Sequence, residues 1–134
     1  MEYPLKKGQA LILVGPQGSG KTTLARQIAA RNGTYAEIDA WGMEHHFGLW
    51  RALLNQPDTL IVDGMPGNNV AIDRINTMLT SDMIRCDRQH AEPTMAKTPN
   101  LIFCTGAIDP WHEIASDTRF RIVQMGEPVA ASNA

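Results

Sequence analysis

The segment Gly15-Pro16-Gln17-Gly18-Ser19-Gly20-Lys21-Thr22 constrains the fold more than any other stretch of the chain. It matches G-x-x-x-x-G-K-[ST], the Walker A or P-loop pattern. Its glycines let backbone N–H groups curl around phosphate oxygens without Cβ clashes. Its lysine sets a positive charge on the β and γ phosphates, and its hydroxyl residue offers an oxygen to Mg²⁺. Such a loop works only between a strand and a helix whose positive end faces the phosphates. The flanks comply. Residues 9–15 (QALILVG) are an apolar, strand-like run. Residues 21–31 place Leu24, Ala25, Ile28 and Ala29 on one helical face, closed by Asn32-Gly33. A Gly-rich turn that binds nothing is the ordinary alternative. The fixed positions arise by chance in on the order of one in a few hundred chains of this length, and the flanks lower that further. The expected ligands are ATP and Mg²⁺, on Gly15, Pro16, Gln17, Gly18, Ser19, Gly20, Lys21, Thr22 and Thr23.

Beyond the loop, continuous apolar runs alternate with helical periods. Strands are predicted over residues 35–39, 59–63 (TLIVD), 101–105 (LIFCT) and 120–125. Helices are predicted over 43–54, with Phe47, Leu49, Trp50, Leu53 and Leu54 inward, and over 70–79. Residues 83–98 are polar and suit a hairpin or long loop, 109–117 a short helix or turn, and the tail from about 126 has no period. Strands apolar on both faces and separated by helices predict a parallel sheet covered on both sides, an α/β three-layer sandwich. At 134 residues this is a single domain.

Lys plus Arg is 12 against 14 Asp plus Glu, a net charge of −2, so nucleic-acid contact requires a local patch. Cys86 and Cys104 are too few for a disulfide framework and lack zinc spacing, which points to free thiols in a reducing cytoplasm. The start lacks a signal-peptide pattern and the apolar runs are too short to span a bilayer, so no membrane role is expected.

A P-loop site needs a carboxylate at the end of a neighbouring strand to hold the Mg²⁺ shell, and Asp63 supplies it. The next residue is Gly64, where many hydrolysing enzymes carry a water-activating acid. Asp39 and Asp73 are further acids within potential reach. Thr105, at the polar tip of an apolar strand, is placed to hydrogen-bond the γ-phosphate or the attacking water, unless it merely forms a Thr-Gly turn. Arg119, just before the last strand, is suited to stabilise transition-state charge in a neighbouring subunit's site, or else is an ordinary surface arginine; Arg121 is the second candidate. His45, His46 and His112 lack metal-ligand spacing. Trp41, Trp50 and Trp111 read as core or subunit-contact aromatics, and the seven methionines as packing residues.

The order of these features, from about Lys6 to Met125, resembles the superfamily III helicases of small DNA viruses, phages and plasmids, within the AAA+ class. Residues 15–23 resemble their first motif and 60–63 their second. Pro99-Asn100-Leu101-Ile102-Phe103-Cys104-Thr105-Gly106 is similar to their third, with Gly106 where an Asn is usual. Ile84-Arg85-Cys86-Asp87-Arg88-Gln89-His90 looks like their DNA-gripping β-hairpin, and Arg119-Phe120 like their arginine finger. The resemblance implies an ATPase acting in DNA replication as a homo-oligomeric ring. Catalysis would rest on Lys21, Asp63, Thr105 and Arg119, metal binding on Thr22 and Asp63, and single-stranded DNA contact on Arg85, Arg88 and His90 of a protruding hairpin. Gly64 and Gly106 depart from the family pattern. The shortness of the chain leaves nine residues after Met125 for the helical lid that many AAA+ proteins append, so the expected form is a minimal core. Two other readings stay open. One is a small-molecule or nucleotide kinase, with Arg85 to Arg88 in a lid. The other is a slow, nucleotide-gated binding protein that docks on a larger replication protein.

Overall fold

Five short apolar segments pair side by side and all run the same way. In the computed structural model, which describes residues 5–45, 48–65, 67, 69–88, 90–106 and 118–126, they are β1 (Ala10–Val14), β2 (Tyr35–Asp39), β3 (Thr59–Asp63), β6 (Asn100–Thr105) and β7 (Phe120–Gln124). Their order across the sheet is β2-β3-β6-β1-β7, every neighbouring pair parallel. Parallel strands need crossovers, and the helices provide them: α1 (Lys21–Arg31), α2 (Ala40–Glu44), α3 (Gly48–Leu53) and α4 (Asn69–Thr80). A separate antiparallel hairpin joins β4 (Met83–Cys86) to β5 (Thr94–Lys97).

The period-2 alternation of the strands divides the core in two. Leu11, Leu13, Ile61, Ile102 and Cys104 face α1 and meet Ala25, Ile28 and Ala29. Ile12, Val14, Leu60, Val62, Leu101 and Phe103 face the other way. They pack on Met43, Leu49 and Leu53 of α2 and α3, on Ala71, Ile75 and Met78 of α4, and on Ile84, Cys86 and Ala96 of the hairpin. The three-layer α/β sandwich is therefore the architecture. No helix among the described residues is long and apolar enough to cross a membrane.

Several boundaries coincide with the sequence pattern. Helix α1 spans the expected residues and ends on Asn32, whose amide donates to Ala29, before Gly33 at φ 119°. The predicted single helix over 43–54 is instead two. Asp39 accepts from Gly42 N at 2.7 Å through its side chain, starting α2 three residues early. His45 turns extended, and Arg74 donates to Met43 O (2.8 Å) and His45 O (2.6 Å). Those carbonyls thus find a partner outside a continued helix. Leu54, expected inside, is 58% exposed, and so is Trp41 at 67%, stacked on the His45 ring rather than buried. Val70 is also on the surface. Phe47, His46, residues 109–117 with Trp111 and His112, and the tail from 127 lie outside the described residues.

Polar contacts fix the hairpin to the sheet's amino-terminal edge. Asp58, which leads into β3, accepts from Lys97 Nζ at 2.7 Å and from Thr34 N and Oγ1. These partners, the Lys97 bond first, hold the Asp58 carboxyl down at about 2. Since this folded value lies below the ordinary carboxylate value near ~3.9, the contribution is present above that value and lost as pH falls toward 2. Thermal melts between pH 7 and pH 2 should show this loss in the native chain and a shallower acid slope in Asp58→Asn. Phe103 is fully buried at the centre of the sheet, and Phe103→Ala should cost about 3–5 kcal/mol, read by urea titration.

Candidate functional site

In a parallel sheet, ligands bind beyond the carboxyl ends of the strands, where neighbouring crossovers diverge. Here that edge gathers residues 15–23, Asp39, Asp63 and Thr105. Val14 is paired with Thr105, and Gly15 N donates to Thr105 O at 3.1 Å, so the P-loop leaves β1 directly beside the tip of β6. Asp63 lies one strand further on, level with Cys104, and Asp39 one strand beyond that, level with Asp63. Gly15, Pro16, Gln17, Gly18 and Ser19 form the turn between β1 and α1, with Gly20 as N-cap and Lys21, Thr22 and Thr23 as the first helical turn.

The loop has the features of an anion cradle. Gly20 sits at φ 88°, ψ 16°, a left-handed conformation that glycine adopts without strain and that turns the chain into the helix. No side chain caps α1 and its first turn holds no acid, so the helix's positive end is not neutralised locally. Lys21 Nζ folds back to donate to Gly15 O (2.6 Å) and Pro16 O (3.1 Å), which sets its charge in the bend of the loop. Ser19 Oγ is buried with no hydrogen-bond partner among the described residues. An orphaned buried hydroxyl is costly, and in this loop a phosphate oxygen would satisfy it.

A cleft of about 290 Å³ opens beside the loop, lined by Thr22, Arg26, Glu37, Ile38, Asp39, Ile61, Asp63 and Cys104. Thr22 and Asp63 are hard oxygen donors in one cleft. That suits Mg²⁺, which takes one or two protein oxygens together with substrate phosphates. Among the described residues there is no group of three or more His, Cys, Asp or Glu placed for a metal. Glu37 is held in a two-pronged pair with Arg26, at 3.1 and 2.9 Å, a contact between separate elements that no local sequence signal announces. That hydrogen bond raises the Arg26 pKa. Behind the cleft, burial followed by the Asp63 charge pushes the Cys104 thiol up to about 11.

Gly64 has φ 95°, and a Cβ there would lie 3.3 Å from the Ala40 Cβ. An acid in its place would be strained. The chain therefore turns at this position instead of supplying the second carboxylate.

Arg119 lies elsewhere. Its carbonyl accepts from Ala10 N, at the amino end of β1, while its guanidinium approaches Asn76 at 3.5 Å and the Phe120 ring. The length of β1, about 13 Å, separates it from its own P-loop edge. Arg121 pairs with Leu11 in the sheet. The hairpin is present, but its strands do not protrude: Ile84, Cys86 and Ala96 are buried against the body. Arg85 is 3.8 Å from Asp87, Lys97 is paired with Asp58, and Arg88 stacks over Trp50 at 5.3 Å. His90 is exposed in the connecting turn at φ 59°. The expected basic finger is thus a surface whose charges are partly engaged. Asp73 is on α4 and does not line the cleft.

Both cysteines are unpaired and buried, each 2% exposed. A thiol reagent should modify neither in the folded chain and both in denaturant, followed by mass spectrometry.

Residues 13–120 match DUF5906, a family of unknown function. No curated protein matches the chain. Among solved structures, the A form apo structure of the NrS-1 C-terminal region, residues 305–718 of that protein, superposes with a TM-score of 0.66 at 21% identity, over 92% of this chain and 29% of that one. A second A form apo structure of the NrS-1 C-terminal region gives 0.64 at 19% identity, over 96% and 32%. The chain spans about a third of those solved chains, and the likeness is one of fold.

Proposed function

The chain belongs to the DUF5906 family of unknown function, and from that premise we propose that it is a P-loop nucleoside triphosphatase of AAA+, superfamily III helicase-like character, acting in DNA replication as an oligomer. One observation carries the reading: an uncapped, lysine-charged glycine loop opens at the same sheet edge as a cleft shared by Thr22 and Asp63.

The residues divide the work. Backbone N–H groups of residues 15–23 and the start of α1 bind the phosphates. Lys21 neutralises them, and Ser19 adds a hydroxyl. Thr22 and Asp63 would hold Mg²⁺, which supplies further charge neutralisation on the triphosphate when bound. Thr105, beside Gly15 on β6, orients the γ-phosphate or a water from the side of the sheet. Arg119 cannot reach its own loop from the opposite edge, so its part in catalysis is to complete the site of an adjoining copy. An arginine supplied in this way is worth about 10³–10⁵ in rate in related phosphoryl-transfer systems. The exposed turn with Arg88 and His90, and Arg85 on the outer side of β4, are the surface proposed for single-stranded DNA.

A mixing experiment tests this assembly. Lys21→Ala should abolish nucleotide binding, and Arg119→Ala should bind nucleotide yet lose turnover. Mixed in equal amounts, the two should recover roughly a quarter of wild-type turnover, because that share of interfaces joins an intact loop to an intact arginine in a head-to-tail ring. Full activity of Arg119→Ala alone, or no recovery on mixing, would contradict the arrangement.

A further inference from the structure

We propose that Asp39 is the residue that activates the attacking water, taking the part that Gly64 cannot play. This inference rests on the nucleoside triphosphatase reading above.

Three observations lead to it. First, the backbone at Gly64 has a positive φ and lies close to Ala40, so a side chain at the usual position for a second acid would be strained. Second, register places Asp39 directly level with Asp63 on the adjacent parallel strand, about 4.8 Å away at the backbone. Both line the cleft that Thr22 enters. Third, elimination leaves Asp39 as the carboxylate for this work. Asp63 is assigned to the metal, and Glu37, the other acid of the cleft, is locked to Arg26 by two hydrogen bonds. Asp39 itself is exposed, and among the described residues its hydrogen bond is the one Oδ1 accepts from Gly42 N at 2.7 Å. That bond fixes the carboxylate while leaving Oδ2 uncommitted.

The chemistry balances without a further reagent. The water oxygen forms its bond to the γ-phosphorus as the bond from that phosphorus to the β,γ-bridging oxygen breaks. Asp39 accepts one water proton, directly or through a second water, and later gives it to the departing phosphate or to solvent. A positioned general base of this kind contributes about 10²–10⁴ in rate.

Asp39 also caps α2, so the variants must keep the cap. Asn and Ser both do. Asp39→Asn and Asp39→Ser are predicted to keep the wild-type melting temperature and bind a non-hydrolysable ATP analogue within about twofold of wild type. Both should lose about a hundredfold or more in turnover. Asp39→Glu should recover part of the rate. Asp39→Asn turnover within a few-fold of wild type would overturn the inference. So would a wild-type chain that binds the analogue but does not hydrolyse ATP, although nucleotide binding would then stand. A wild-type chain that fails to bind the analogue would overturn both readings.

Discussion

The common parallel register of the five strands is the constraint on which the rest of the structure depends. Asp39, Asp63 and Cys104 form one row across the end of the sheet, and Val14 with Thr105 lies one residue further along. A slip of one residue on any strand would turn its side chains to the opposite face. For β3 it would take the Asp63 side chain off the face that α1 covers. Burial on both faces specifies the register: Leu11, Leu13, Ile61 and Ile102 need α1, while Ile12, Val62 and Phe103 need the opposite layer. The apolar core therefore aligns the polar edge.

The two faces make unequal demands. Among the described residues, α1 alone covers one face, and the glycine-rich loop leads into its first turn. Packing Ala25, Ile28 and Ala29 against the sheet fixes the helix axis, and hence the direction of its positive end. The other face is covered by three helices and the hairpin. This is where α2 and α3 part company and where the hairpin is secured, through Asp58 and Lys97 at one end and Arg88 on Trp50 further along. The residues proposed to bind nucleotide thus sit on the simpler side, and the surface proposed for nucleic acid is carried by the layer built from more pieces.

Much of this was legible in the chain. β2, β3 and α1 fall where the apolar runs and the Asn32-Gly33 stop place them, because those signals are local. The positions of the glycine-rich loop, Asp63 and Thr105 at one edge were legible for the same reason: each stands at the end of an apolar strand. What was not legible depends on partners distant in sequence. The break at His45 requires Arg74, twenty-nine residues away, to satisfy the α2 carbonyls. Engagement of Arg85, Arg88 and Lys97 depends on where Asp87, Trp50 and Asp58 come to lie. Asp39 was one acid among several until strand order set it beside Asp63. Arg119 reads as an arginine before a strand, and only the sheet reveals that it begins at the edge opposite the loop.

Residues 15–23 are proposed to form a triphosphate site completed by Thr22 and Asp63. Calorimetric titration of the wild-type chain with a non-hydrolysable ATP analogue, with Mg²⁺ and then with the metal chelated, tests it most directly. Saturable one-site binding that weakens when Mg²⁺ is removed is expected. No binding at millimolar analogue in the presence of Mg²⁺ would contradict it.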